Sequence, residues 1–186
     1  MNREQWLTEG VQELAGRVFA PAGHVVPEVR VSVGWPGGKS VTKVIGQCWA
    51  TRTASDQVSN VFISPLLADP VKVLATLTHE LVHAVDDCES GHRGRFIKIA
   101  KGVGLEGKWT ATSAGPVLQA ALEAISSDLG AYPHAVVTPG IKLAKPQTTR
   151  MLKLEAACCG YIVRTTQKWV DEGLPSCPCG TEMELA

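Results

Sequence analysis

Between Asp69 and Asp86 the chain carries a segment that is apolar on nearly every side and still holds three titratable residues together, His79, Glu80 and His83. Asp69 followed by Pro70 reads as a helix start, with Asp as the N-cap and proline at the first helical position, where its missing N–H matters least. Val71, Leu74, Leu77 and Val85 follow on the helical period, with Val73, Leu81 and Val82 beside them. A helix that is apolar all round belongs in a core, so the fold must be built around it. Charged residues seldom enter such a helix without a partner. Residues four apart project from one face, so His79 and His83 can reach a single metal ion, with Glu80 beside them.

The rest of the chain supplies what such a helix packs against. Leu7, Val11, Leu14 and Val18 fall at helical spacing and predict an amphipathic helix from about Asn2 to Ala20, ended by Pro21-Ala22-Gly23. Val29 to Val33 alternates with period two and reads as a strand; two more strand candidates lie around Val44 to Thr51 and Asn60 to Ser64. Past the central helix, a second helix is expected from His92 to Val103. A third is expected after Pro116, with Leu118, Ala121, Leu122 and Ile125 on one face. Segregated strands and helices of this kind predict an α+β fold.

At 186 residues the chain can bury one ordinary core and carry a small appendage. Its residues are 45% apolar and its net charge is zero, which argues against the whole chain being a nucleic-acid binder. No apolar run is long enough to cross a bilayer, so no membrane partner is expected. The polar start Met1-Asn2-Arg3-Glu4-Gln5-Trp6 predicts no secretory signal and therefore a cytoplasmic protein. In a reducing compartment clustered thiols are more often metal ligands than disulfides, and four of the six cysteines fall in the last thirty residues.

The spacing His79-Glu80-Leu81-Val82-His83 is that of a zinc peptidase, in which the glutamate takes a proton from the attacking water and returns it to the leaving amine. A catalytic zinc needs three protein ligands and one open position, so a further ligand must come from elsewhere. Glu89, His92 and a downstream carboxylate such as Glu123 are the candidates. The metzincin spacing would put a third histidine where Glu89 stands, and so fails. His92 is preferred: it follows the turn-like stretch from Asp86 to Gly91, and its ring can point back toward the helix.

The combination of Thr78-His79-Glu80-Leu81-Val82-His83-Ala84 with Gly91-His92 and Phe96, and a cysteine module downstream, resembles the SprT-like metallopeptidases over most of the chain after about Gly46. The resemblance implies a zincin-like core with a small twisted sheet, a catalytic Zn2+ held by His79, His83 and His92, and Glu80 as the catalytic acid-base. It implies that the strand at Asn60 to Ser64 is the edge along which an extended protein or peptide substrate lies. It also implies a nucleoid-associated role, since the best-understood members degrade proteins crosslinked to DNA and others act in transcription.

Cys158-Cys159-Gly160 and Cys177-Pro178-Cys179-Gly180 frame a basic segment, as a small C-terminal β zinc ribbon would. The regular Cys-x-x-Cys spacing of the family is broken in both halves. Adjacent residues of an extended chain point to opposite sides, which makes Cys158 the weakest ligand. A second, structural zinc on Cys158, Cys159, Cys177 and Cys179, a three-thiolate site, a metal-free ribbon and a disulfide all stay open. From Gly140 to Val170 six basic residues face one acidic residue, so Lys153, Arg164, Lys168 and Trp169 are candidate nucleic-acid contacts.

Tyr132 and His134 are candidates to donate to a tetrahedral oxyanion. The expected layout is a peptidase core over 1–138, a linker over 139–150 and a ribbon-like module over 151–186. The alternatives are a non-catalytic zinc protein associated with DNA or transcription, and a protease specific for one regulatory partner.

Overall fold

In the computed structural model, which describes residues 1–34, 44–137 and 151–186, the chain opens with α1 (Arg3–Leu14), set by a reciprocal capping box. Asn2 accepts the Gln5 amide and the Gln5 side chain accepts the Asn2 amide, both at 2.8 Å. The helical path continues with wider π-type turns over Ala15–Phe19. Trp6, Leu7, Leu14 and Phe19 are its fully buried side chains.

Three strands form the first sheet: β1 (Val29–Val33), β2 (Gly46–Trp49) and β3 (Ser59–Ile63). Their order is β1-β3-β2, with β1 parallel and β2 antiparallel to β3, so Val31 and Cys48 both stand opposite Val61. The strand expected at the edge is therefore the central one. Both sides of β3 are hydrogen-bonded within the sheet, and an extended peptide has no free ladder there; among the described residues β1 and β2 are the edge strands.

The central helix α2 (Pro70–Val85) starts as the sequence predicts, with Asp69 accepting the Lys72 amide at 2.8 Å and proline in the first turn. It packs across β2 and β3 on one side and meets α3 (Gly94–Gly102) and α4 (Pro116–Leu129) on others. Leu74, Leu77 and Leu81 are fully buried in that setting, each contributing roughly 1.5–3 kcal/mol of apolar burial. α4 turns Leu118, Leu122 and Ile125 inward, as its period predicts.

Two features differ from the expected layout. α3 begins at Gly94, so His92 belongs to the turn before the helix. Between α3 and α4 lies a hairpin of β4 (Leu105–Lys108) and β5 (Ala111–Ala114), paired in antiparallel register. Its strands are four residues each and lack apolar alternation, which hides them from a periodicity argument.

The chain divides into two units, Met1–Pro139 and Gly140–Ala186. The expected linker at 139–150, including Lys142, Lys145 and Arg150, lies outside the described residues. In the second unit β6 (Leu152–Glu155) pairs with β7 (Ile162–Thr165) on one side and, beyond the short helix α5 (Gln167–Glu172), with β8 (Glu184–Leu185) on the other. Among the described residues its buried core is Leu154, Ala156, Cys177 and Met183, with Val163 and Val170 packed against them, a small apolar core of the kind that ordinarily needs a staple. The whole is mixed α+β with small sheets. Among the described residues no helix is long and apolar enough to cross a membrane.

Candidate metal centre

α2 carries His79 and His83 one turn apart, and the turn after it brings His92 to the same place. The His92 Nε2 lies 3.2 Å from His79 Nε2 and 3.2 Å from His83 Nε2. Two nitrogens bound at about 2.0–2.1 Å to one tetrahedral zinc would stand roughly 3.3–3.4 Å apart, so the spacing is that of a coordination edge. The donor chemistry agrees. Metal binding needs neutral imidazoles, and burial, aided by the neighbouring His92, pushes His79 down to about 4. Burial, followed by His79 and His92, pushes His83 down to about 3. His92 is lowered as well, again by burial.

The rings rest on Phe96, which is fully buried, with centroids 5.2 Å from His79, 4.4 Å from His83 and 5.0 Å from His92. The other nitrogen of His79, Nδ1, lies 2.8 Å from the Thr112 hydroxyl on β5. That contact fixes the ring so that Nε2 faces the other two histidines, the usual job of an outer partner to a ligating histidine. Thr112 is 33 residues away in sequence and carries no local signal that would single it out.

The turn bearing His92 is held from inside and outside. Asp86, only 1% exposed, accepts the Ser90 amide at 2.7 Å and the Ser90 hydroxyl at 3.0 Å. Asp87 accepts the Thr51 amide at 2.8 Å and the Thr51 hydroxyl at 3.0 Å, tying the turn to the chain just past β2. These bonds stabilise two successive non-glycine residues in left-handed backbone, Asp87 at φ 47° and Cys88 at φ 57°.

Glu80 is 5% exposed and lines the same cleft as the histidines. Burial pushes its carboxyl up to about 8. A divalent cation among the histidines opposes that shift and favours the carboxylate. The cleft measures about 1030 Å³ and is walled by Gly46, Gln47 and Cys48 of β2, by α2, and by β5. Glu123 also reaches the cleft but is engaged by the Gln119 amide at 2.8 Å, outside the histidine cluster. Glu89 neither lines the cleft nor joins the cluster.

The candidate oxyanion donors do not reach this place. Tyr132 is buried with its ring 4.9 Å from Trp6, and its hydroxyl has no partner among the described residues. His134 Nε2 lies 2.8 Å from the Pro65 carbonyl, and its Nδ1 lies 3.3 Å from Arg3. Neither lines the cleft. The Tyr-Pro turn is packing against α1.

In the second unit the thiols of Cys158, Cys159, Cys177 and Cys179 all lie within 4.8 Å of one another. Cys158 Sγ stands 3.4 Å from Cys177 Sγ. The expected weakness of Cys158 assumed extended chain. Residues 157–159 instead form a turn closed by the Gly160 amide on the Ala156 carbonyl at 2.8 Å, with Gly160 at φ 68°, and a turn lets adjacent side chains converge. Both groups are compatible with zinc. Of the nucleic-acid candidates, Lys153 is paired with Glu155 at 2.5 Å and stands opposite Arg164 across β6 and β7. Trp169 is 58% exposed, with the Lys168 ammonium 4.8 Å from its ring centroid.

Compared with protein-family models, with curated proteins and with solved structures, the chain matches none.

Proposed function

We propose that the chain is a zinc-dependent endopeptidase of zincin type that cleaves protein substrates lying extended along β2. The observation that carries this reading is the convergence of His79, His83 and His92 at coordination spacing beside a buried Glu80 in an open cleft. Zinc held there would supply Lewis acidity, polarising the scissile carbonyl and acidifying water.

The protein groups do the rest. His79 and His83 present their nitrogens from one helix face, Thr112 sets the orientation of His79, and Phe96 keeps the floor beneath the rings apolar. Glu80 accepts the proton of the attacking water at its carboxylate and delivers it to the leaving amine. Substrate backbone pairs with the outer edge of β2, which carries no further strand among the described residues and whose Gly46–Cys48 stretch lines the cleft, displacing the Cys88 thiol from the Cys48 carbonyl.

The test is Glu80→Gln in the full chain. Zinc content should be unchanged while cleavage of an unfolded protein substrate falls by roughly 10²–10⁴-fold. Equal cleavage by both proteins would remove Glu80 as the proton carrier, and no cleavage by either would leave only the non-catalytic reading.

A second reading concerns the tail. Exposed Trp169 with Lys168 over its ring suits an unpaired base between an aromatic face and a cation, which supports a DNA-associated protease. Trp169→Ala should weaken single-stranded DNA binding by roughly 1–3 kcal/mol, and the affinity should fall steeply with salt.

A further inference from the structure

Two cysteines outside both candidate zinc sites meet at the mouth of the cleft. Cys48 lies on the edge strand β2 and Cys88 on the turn after α2, and both are free, partly buried and exposed to the cleft. The Cys88 thiol donates to the Cys48 backbone carbonyl at 3.6 Å, which brings the Cys88 sulfur against the residue that carries the other thiol. This approach is built at a cost. Cys88 and Asp87 both sit at positive φ, a conformation disfavoured for residues with a side chain, and the Asp87 bonds to Thr51 hold them there. Strain of this kind persists only where surrounding contacts enforce it. Here it directs the Cys88 thiol onto the backbone carbonyl of Cys48, 40 residues away.

We propose that Cys48 and Cys88 are a peroxide-sensitive dithiol whose closure to a disulfide ties β2 to the turn carrying His92 and shuts the cleft to substrate. In the first step the Cys88 sulfur attacks one oxygen of hydrogen peroxide. The O–O bond breaks, water leaves, and Cys88 becomes a sulfenic acid. In the second, the Cys48 sulfur displaces that hydroxyl as a second water and the S–S bond forms. The two thiols together lose two protons and two electrons, which the peroxide takes up. A small-molecule dithiol reverses the reaction. The disulfide would form where the backbone edge of β2 must otherwise accept substrate, so its effect on cleavage rests on the peptidase reading. Its formation does not.

The test treats the zinc-loaded full chain with hydrogen peroxide, blocks remaining thiols, and maps the digest by mass spectrometry. The expected result is the Cys48 peptide joined to the Cys88 peptide, released by dithiothreitol, together with slower amide exchange over 46–53 and 86–92. Activity should fall at least about tenfold and return on reduction, while in Cys48→Ala and Cys88→Ala the ratio of oxidised to reduced activity stays near one. Separate, unjoined Cys48 and Cys88 peptides, or joining confined to Cys158–Cys179, would overturn the proposal. So would a joined pair that leaves the cleavage of an active protein unchanged. A joined pair with slowed exchange in a protein that cleaves nothing even when reduced would support the disulfide and refute the peptidase reading instead.

Discussion

The backbone of Gly46 lies directly against the carboxylate of Glu80: a β-carbon placed on Gly46 would fall 2.5 Å from Glu80 Oε1 and 2.9 Å from its Cγ, with Thr76 Cγ2 at 2.6 Å. The first residue of the edge strand thus fixes the rotamer of the proposed proton carrier. Gly46→Ala must displace that side chain. Zinc content should be unchanged, while kcat falls by about 10²-fold, the usual cost of a misplacement near 1 Å. Elemental analysis beside steady-state kinetics checks both halves.

Thr112 acts through His79. Replacing its hydroxyl by a methyl in Thr112→Val removes the partner of His79 Nδ1. Zinc affinity at the histidine site should drop by about 10–100-fold, and Thr112→Ser should restore it. Competition with a fluorescent chelator gives the affinities.

Acid should destabilise the metal-stripped protein through the same rings. In the folded state His79 and His83 are held near 4 and 3 by burial, below the ordinary 6.5. The unfolded chain therefore takes up protons that the fold refuses. Stability is fully present above pH 6.5 and is lost as pH falls toward 4, at up to about 1.4 kcal/mol per pH unit for each ring. Urea midpoints at pH 7.5, 6 and 5 should decline in the stripped wild type. They should decline less in His79→Asn/His83→Asn, measured under the same stripping.

The second unit should depend on its thiols for order. Among the described residues its buried core is Leu154, Ala156, Cys177 and Met183, with Val163 and Val170 packed against them, which is little to hold it. Zinc per chain should be two, falling to one in Cys177→Ala, with loss of amide protection across β6 and β7 only. One zinc in both proteins would mean that the cysteine group holds none.

What was legible in the sequence was whatever depended on local period and spacing. Asp69-Pro70, the apolar face of α2 and the pair His79 and His83 are all set within one helix, and the structure has them as expected. His92 was reachable because only a short turn separates it from His83. Strand order was not legible: β3 has the strongest alternation, which marks burial on one face but says nothing of which neighbours it takes. Thr112 and Gly46 escaped for a related reason, since their roles arise from contacts between distant elements. For Tyr132 the sequence left packing and an oxyanion role open, because a buried aromatic beside proline looks the same whether it faces a cleft or Trp6.

The walls of the cleft differ in how freely they can vary. α2 carries the proposed chemistry on a helix whose other faces are sealed by the sheet, α3 and α4, so few substitutions there leave both fold and metal geometry intact. β2 and the β4–β5 hairpin are short and lie at the margin, and most of their side chains reach solvent. On the peptidase reading proposed above, residues such as Gln47 and Ser113 can be exchanged, and the sequences accepted can change with them, while α2 stays as it is. A comparison of natural variants should find diversity concentrated on those two walls, with Gly46 and Thr112 kept.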